Sequence, residues 1–65
     1  MPKIHKKQLE NSSLLKENYM RQEFFEEAVQ AKITEFKMKY PKAEVSIQRN
    51  KHGARVIAYL SYEKL

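Results

Sequence analysis

The sequence predicts a small α+β protein in which one long amphipathic helix is followed by an antiparallel β-hairpin, the order αββ. Residues 14–40 contain neither glycine nor proline, and their apolar side chains recur at helical spacing. Residues 43–49 then alternate between apolar and polar types, as a half-buried strand does. Residues 54–62 are rich in Val, Ile and Tyr, which favours a second strand.

The predicted helix has a start and a stop signal. Ser12 and Ser13 offer a hydroxyl that could cap the first turn. Pro41 ends the helix, because the residue before a proline is pushed out of helical backbone geometry. The apolar stripe between these signals consists of Leu15, Phe25, Val29, Ile33, Phe36 and Tyr40.

Two hairpin registers are open at the turn. A three-residue loop at residues 51–53 would set Arg49 directly opposite Arg55, an unfavourable like-charge pair. A four-residue loop that begins at Asn50 avoids this pair, and we favour it. The only glycine, Gly53, closes the loop and tolerates the positive φ that such loops often need. The favoured register places on one face of the hairpin the residues Val45, Ile47, Val56, Ala58 and Leu60.

The N-terminal segment shows no apolar period. We therefore expect residues 1–12 to form a flexible basic arm and residues 13–65 to form a single αββ domain. The first residues are charged but no apolar stretch follows them, so no signal peptide is predicted. No apolar run approaches the ~18 residues of a membrane span, and a cytoplasmic location without membrane contact is expected.

Chain length favours self-association. A 65-residue chain without cysteine has a small core and no disulfide to stabilise it. A helix of ~27 residues would be ~40 Å long, whereas seven strand residues span only ~23 Å. Either a second copy covers the remaining apolar stripe, in a homodimer formed through helix and sheet, or the helix breaks near Tyr19 in a monomer. The predicted interface residues are Met20, Phe24, Phe25 and Tyr59.

The residue types argue against catalysis and against a metal site. The chain has no Cys and no Asp, and its two histidines, His5 and His52, lie in the arm and in the hairpin loop. A single glycine rules out a glycine-rich phosphate loop. We expect a non-enzymatic protein with no cofactor and no bound metal.

Positive charge is the strongest functional signal. The chain carries a net charge of +5, with +3 in residues 1–16, −1 in residues 17–40 and +3 in residues 41–65. Such clusters suit contacts with the phosphates of DNA or RNA. Small Lys- and Glu-rich chains of this kind are similar in composition to accessory proteins of bacteria and their mobile elements. The predicted nucleic-acid-binding residues are Lys3, Lys6, Lys7, Arg49, Asn50, Lys51, His52 and Arg55.

A second function class stays open beside nucleic-acid binding. A regulatory or adaptor protein would act through a protein partner and would use exposed apolar anchors such as Met20, Phe24 or Tyr59. In that case the positive charge would serve only to keep an apolar dimer in solution.

Overall fold

The computed structural model describes residues 3–64, which form a three-stranded antiparallel sheet with one α-helix on one of its faces. Along the chain lie strand β1 (Lys3–Leu15), a 3-10 turn (Lys16–Asn18), helix α1 (Gln22–Lys39), strand β2 (Glu44–Asn50) and strand β3 (Gly53–Lys64). The strand order in the sheet is β1-β3-β2. The predicted α+β class is confirmed, but the helix-first order is wrong because β1 precedes the helix.

Strand β1 takes the place of the expected arm. Residues 3–12 belong to this strand, while residues 1 and 2 of the predicted arm lie outside the described residues. The strand pairs with β3 along its whole length, with a register shift between Gln8 and Glu10. This bulge lets both Leu9 and Leu14 pack against the core, although an uninterrupted strand would point residues five apart to opposite faces.

Helix α1 is shorter than predicted. It begins at Gln22 with Arg21 as its N-cap residue, whereas Ser12 and Ser13, the predicted capping residues, both lie in β1. It ends at Lys39, just before Tyr40 and Pro41, as the proline signal predicts. Its 18 residues span about 27 Å, close to the length of β2. The length argument for a dimer therefore no longer holds, and dimerisation stays a prediction.

The hairpin has the favoured register. Val45 faces Ala58 and Ile47 faces Val56 across β2 and β3. Gln48 lies opposite Arg55, so the like-charge pair of the alternative register is avoided.

In the turn between β2 and β3, Asn50 and Gly53 have structural roles other than the predicted ones. The Asn50 side-chain oxygen Oδ1 accepts hydrogen bonds from the backbone N–H groups of His52 and Gly53, at 2.7 and 2.9 Å. Gly53 does not have a positive φ. Its small size matters instead, because a Cβ there would collide with the backbone carbonyl oxygen of Leu14.

The core lies between α1 and one face of the sheet. Helix and central strand each contribute three fully or nearly fully buried side chains. These are Phe25, Val29 and Phe36 from α1, and Ala54, Val56 and Ala58 from β3. Among the described residues, α1 is the only α-helix, and it is too polar to cross a lipid bilayer.

The second face of the sheet is not covered by any other element of residues 3–64. Ile57 and Tyr59 of β3 lie half-buried on this uncovered side. We call this side the open face. Its residues include Lys6, Gln8, Asn11 and Ser13 of β1, Arg55, Ile57, Tyr59, Ser61 and Glu63 of β3, and Glu44, Ser46 and Gln48 of β2.

Candidate nucleic-acid interface

The predicted nucleic-acid-binding residues do not form one continuous surface. Because β1 is antiparallel to β3, the beginning of β1 lies beside the end of β3 and far from the hairpin turn. Lys6 is opposite Ser61, which is eight residues along β3 from Gly53, or about 26 Å. The lysines of β1 and the tip of the hairpin therefore lie at opposite ends of the sheet.

At the tip, Lys51 and His52 are exposed. The backbone carbonyl of His52 accepts a hydrogen bond from the N–H of Lys16 at 2.9 Å, which joins the turn to the end of β1. A shallow depression of about 300 Å³ lies here, lined by Leu15, Lys16, Glu17, Lys51 and His52. Three of these side chains are cations or a histidine, but Glu17 offsets part of their charge.

Arg49 and Asn50 are engaged within the protein. Two nitrogens of the Arg49 guanidinium donate hydrogen bonds to the two carboxylate oxygens of Glu26, at 2.7 and 3.0 Å. These bonds lower the pKa of Glu26 and raise the pKa of Arg49. The charge of Arg49 is therefore balanced on the helix side of the sheet, and Asn50 holds the turn.

The opposite end of the sheet is a two-stranded ribbon. Strand β2 begins opposite Tyr59, so residues 3–7 of β1 and 60–64 of β3 pair only with each other within the described chain. We call these ten residues the basic ribbon, because the sequence places four lysines and one glutamate in them, a net charge of +3. Lys6 and Lys7 are exposed on opposite faces of the ribbon. The rings of His5 and Tyr62 stack with centroids 5.4 Å apart.

Tyr59 lies where the ribbon joins the open face. The Lys6 ammonium nitrogen is 4.9 Å from the centroid of the Tyr59 ring. Hydrogen bonding to the carboxylate of Glu44, its neighbour on β2, raises the pKa of the Tyr59 hydroxyl, and partial burial adds to this. The hydroxyl therefore stays protonated and neutral near pH 7.

The sequence analysis gave Tyr59 as an interface residue and as an anchor for a protein partner, not as part of a nucleic-acid site. The favoured register already indicated that Tyr59 lies outside the core, because it places Ile57 and Tyr59 on the side opposite Val56 and Ala58. What the sequence did not reveal is that, within residues 3–64, α1 covers one side of the sheet and no element covers the other.

The predicted interface residues are divided between surface and core. Met20 is 98% exposed and Phe24 is 48% exposed, with the Arg21 guanidinium 5.5 Å from the Phe24 ring centroid. Phe25 is only 1% exposed and packs in the core of its own chain, edge-on to Tyr19. It therefore has no surface to offer a partner.

Residues 3–64 contain no group of three His, Asp or Glu side chains arranged to hold a metal ion. Comparisons of the chain with models of known protein families, with curated proteins and with solved structures find no match. The surfaces described above are therefore the basis for inferring a function.

Proposed function

We propose that this protein binds nucleic acid through the basic ribbon. The observation that carries the proposal is the pairing of the lysine-rich start of β1 with the end of β3, which collects four lysines on ten residues. An antiparallel two-stranded ribbon is narrow enough to lie along a nucleic-acid backbone or in a major groove. Each lysine that contacts a phosphate releases condensed counterions, which favours binding.

The charge balance around the ribbon supports this proposal. Neither Lys6 nor Lys7 makes an ion pair within the described residues, whereas Arg49 and Lys39 are each paired with a glutamate. Lys6 and Lys7 therefore keep their full charge for an external anion. The Tyr62 ring, which is 50% exposed and stacks with that of His5, adds surface for contacts with sugars or bases.

The test is a salt-dependent titration of fluorescently labelled DNA and RNA oligonucleotides, both single-stranded and duplex. The variant Lys6→Gln/Lys7→Gln removes two ribbon charges, and Lys37→Gln/Lys42→Gln removes two exposed charges elsewhere. We expect the ribbon variant to reduce the slope of log K against log salt by about 1.4–1.8, the loss of two phosphate contacts. The control variant should leave the slope within error of the wild type.

Two outcomes would contradict the proposal. One is the absence of binding to any of the four nucleic acids at low salt. The other is an equal loss of slope in both double variants, because this would show a response to net charge and not to the ribbon.

Protein–protein interaction through a second copy of this chain is the second candidate, supported by the outer edge of β1. In residues 3–64 this edge has no strand partner, and its segment Asn11–Leu15 carries no charge. Two such edges could pair antiparallel around Ser13. Sedimentation at micromolar concentration tests this: the wild type should be a dimer, and Ser13→Lys should be a monomer because two lysines would face each other. A monomeric wild type would reject this candidate.

A further inference from the structure

The open face has an apolar centre surrounded by polar groups. Ile57 and Tyr59 are neighbours on one side of the central strand β3, and the strands on either side contribute amides and a hydroxyl. Together they form a shallow depression of about 360 Å³, at the small end of the range of ligand sites. It is lined by Lys6, Gln8, Ser46, Gln48, Ile57 and Tyr59.

These side chains have complementary chemical roles. An aromatic ring beside an aliphatic side chain is a platform on which a flat base can stack. The exposed amides of Gln8 and Gln48 each offer donors and an acceptor, which suits the polar edges of a base. Gln8 lies beside Tyr59 on β1, whereas Gln48 lies beside Arg55 on β2, four residues or about 13 Å further back along β3.

Cations lie at both ends of this platform. Lys6 is beside Ser61 at one end, and Arg55 lies six residues further back along β3, about 20 Å away. The carboxylate nearest the platform is Glu44, which is hydrogen-bonded to the Tyr59 hydroxyl. Glu63, at the ribbon end of the same side, is the other described carboxylate there. A backbone that follows β3 would therefore meet one cation before the apolar centre and another after it.

We propose that the open face binds single-stranded nucleic acid, with an unpaired base stacked on the Tyr59 ring. This inference rests on the proposed function and specifies its ligand. A duplex stacks its bases on each other and presents only their edges, whereas an unpaired base exposes the flat face that the ring requires. The nearly flat face of a sheet can receive splayed bases, but it cannot enter a groove as a narrow ribbon can.

The experiment compares Tyr59 variants in anisotropy titrations with a labelled thymidine strand of about 12 nucleotides and with the corresponding duplex. Tyr59→Leu should weaken binding of the single strand about 5- to 100-fold, the effect of losing one stacked base. It should leave duplex binding and the salt slope unchanged, because no phosphate contact is lost. Tyr59→Phe keeps the ring and should bind the single strand like the wild type.

Further measurements distinguish the loss of base stacking from a loss of the fold. The chain contains no tryptophan, so Tyr59→Trp introduces a single reporter whose fluorescence should be quenched when the thymidine strand stacks on it. Phe24→Leu removes a half-exposed aromatic ring from α1, outside the open face and the basic ribbon, and should leave single-strand affinity unchanged. Circular dichroism compares the fold of every variant with that of the wild type.

The inference is overturned if Tyr59→Leu binds the single strand as tightly as the wild type, or if the Trp fluorescence does not respond to the strand. If the Lys6→Gln/Lys7→Gln variant still loses affinity in those cases, the proposed function stands and only the stacking site is rejected. If the wild type binds no nucleic acid at all, both fail together.

Discussion

The substitution Gly53→Ala tests the placement of β1 directly. Gly53 is the first residue of β3 and pairs with Asn50 on one side and with Leu15 on the other. A Cβ added here would collide with the carbonyl oxygen of Leu14 and lie 3.1 Å from the Cα of Leu15. Because these are backbone atoms, no side-chain rotation relieves the overlap, and β1 must move away from β3 at this end.

We expect Gly53→Ala to lower the free energy of unfolding by about 1–3 kcal/mol, the usual cost of overpacking. In a domain of this size that loss lowers Tm by roughly 5–20 °C. Thermal and urea unfolding followed by circular dichroism measure both quantities. Lys51→Ala, at an exposed position in the same turn, is the matched control and should change stability by less than about 0.5 kcal/mol.

If β1 does not lie over Gly53, the Gly53→Ala substitution should raise the free energy of unfolding instead of lowering it. Since its φ is not positive, alanine would then fit the backbone and would stabilise the protein by about 0.4–1 kcal/mol through a less flexible unfolded chain. A Gly53→Ala protein at least as stable as the wild type would therefore refute the reasoning.

Two more predictions concern the core and an ion pair. Phe25→Ala should cost about 3–5 kcal/mol of unfolding free energy in urea titrations, whereas Phe24→Ala, at a half-exposed position, should cost much less; equal losses would contradict the assigned core. The hydrogen bond from Lys39 lowers the pKa of Glu10 below the ordinary glutamate value of 4.5. The ionised Glu10 carboxylate therefore stabilises the folded state above pH 4.5, and this stabilisation is lost as the pH falls through the lowered pKa. Glu10→Gln should therefore unfold with a weaker pH dependence below about 4.5 than the wild type, and an unchanged acid profile would show that this pair does not stabilise the fold.

The hairpin and the end of the helix could be predicted because their signals are local. The alternation in residues 43–49 sets the faces of β2, and avoidance of the pair of Arg49 with Arg55 selects the register that the structure has. Pro41 likewise ends α1 through a clash with its own neighbour, which needs no tertiary information.

Strand β1 could not be predicted because its reasons are not local. Its first ten residues are mostly polar, and the bulge at Leu9 breaks the two-residue period that would reveal a strand. The strand is held by backbone pairing with β3 and by Leu9 and Leu14, which pack against side chains from distant segments. Without β1, residues 14–21 looked like the first turns of the helix. The same omission hid the open face, since its outer edge is made by Gln8 and its neighbours on β1.

The fold also explains why net charge alone did not locate the candidate site. Two cations of the helix and the hairpin form ion pairs within the protein: Lys39 with Glu10, and Arg49 with Glu26. These pairs lie on the helix side of the sheet and hold α1 and the hairpin in place. The antiparallel placement of β1 then carries Lys6 past the beginning of β2, where no described acidic side chain forms an ion pair with it. The topology of β1 thus determines where positive charge remains for a partner, and it places the Lys6 ammonium group 4.9 Å from the centroid of the half-buried Tyr59 ring.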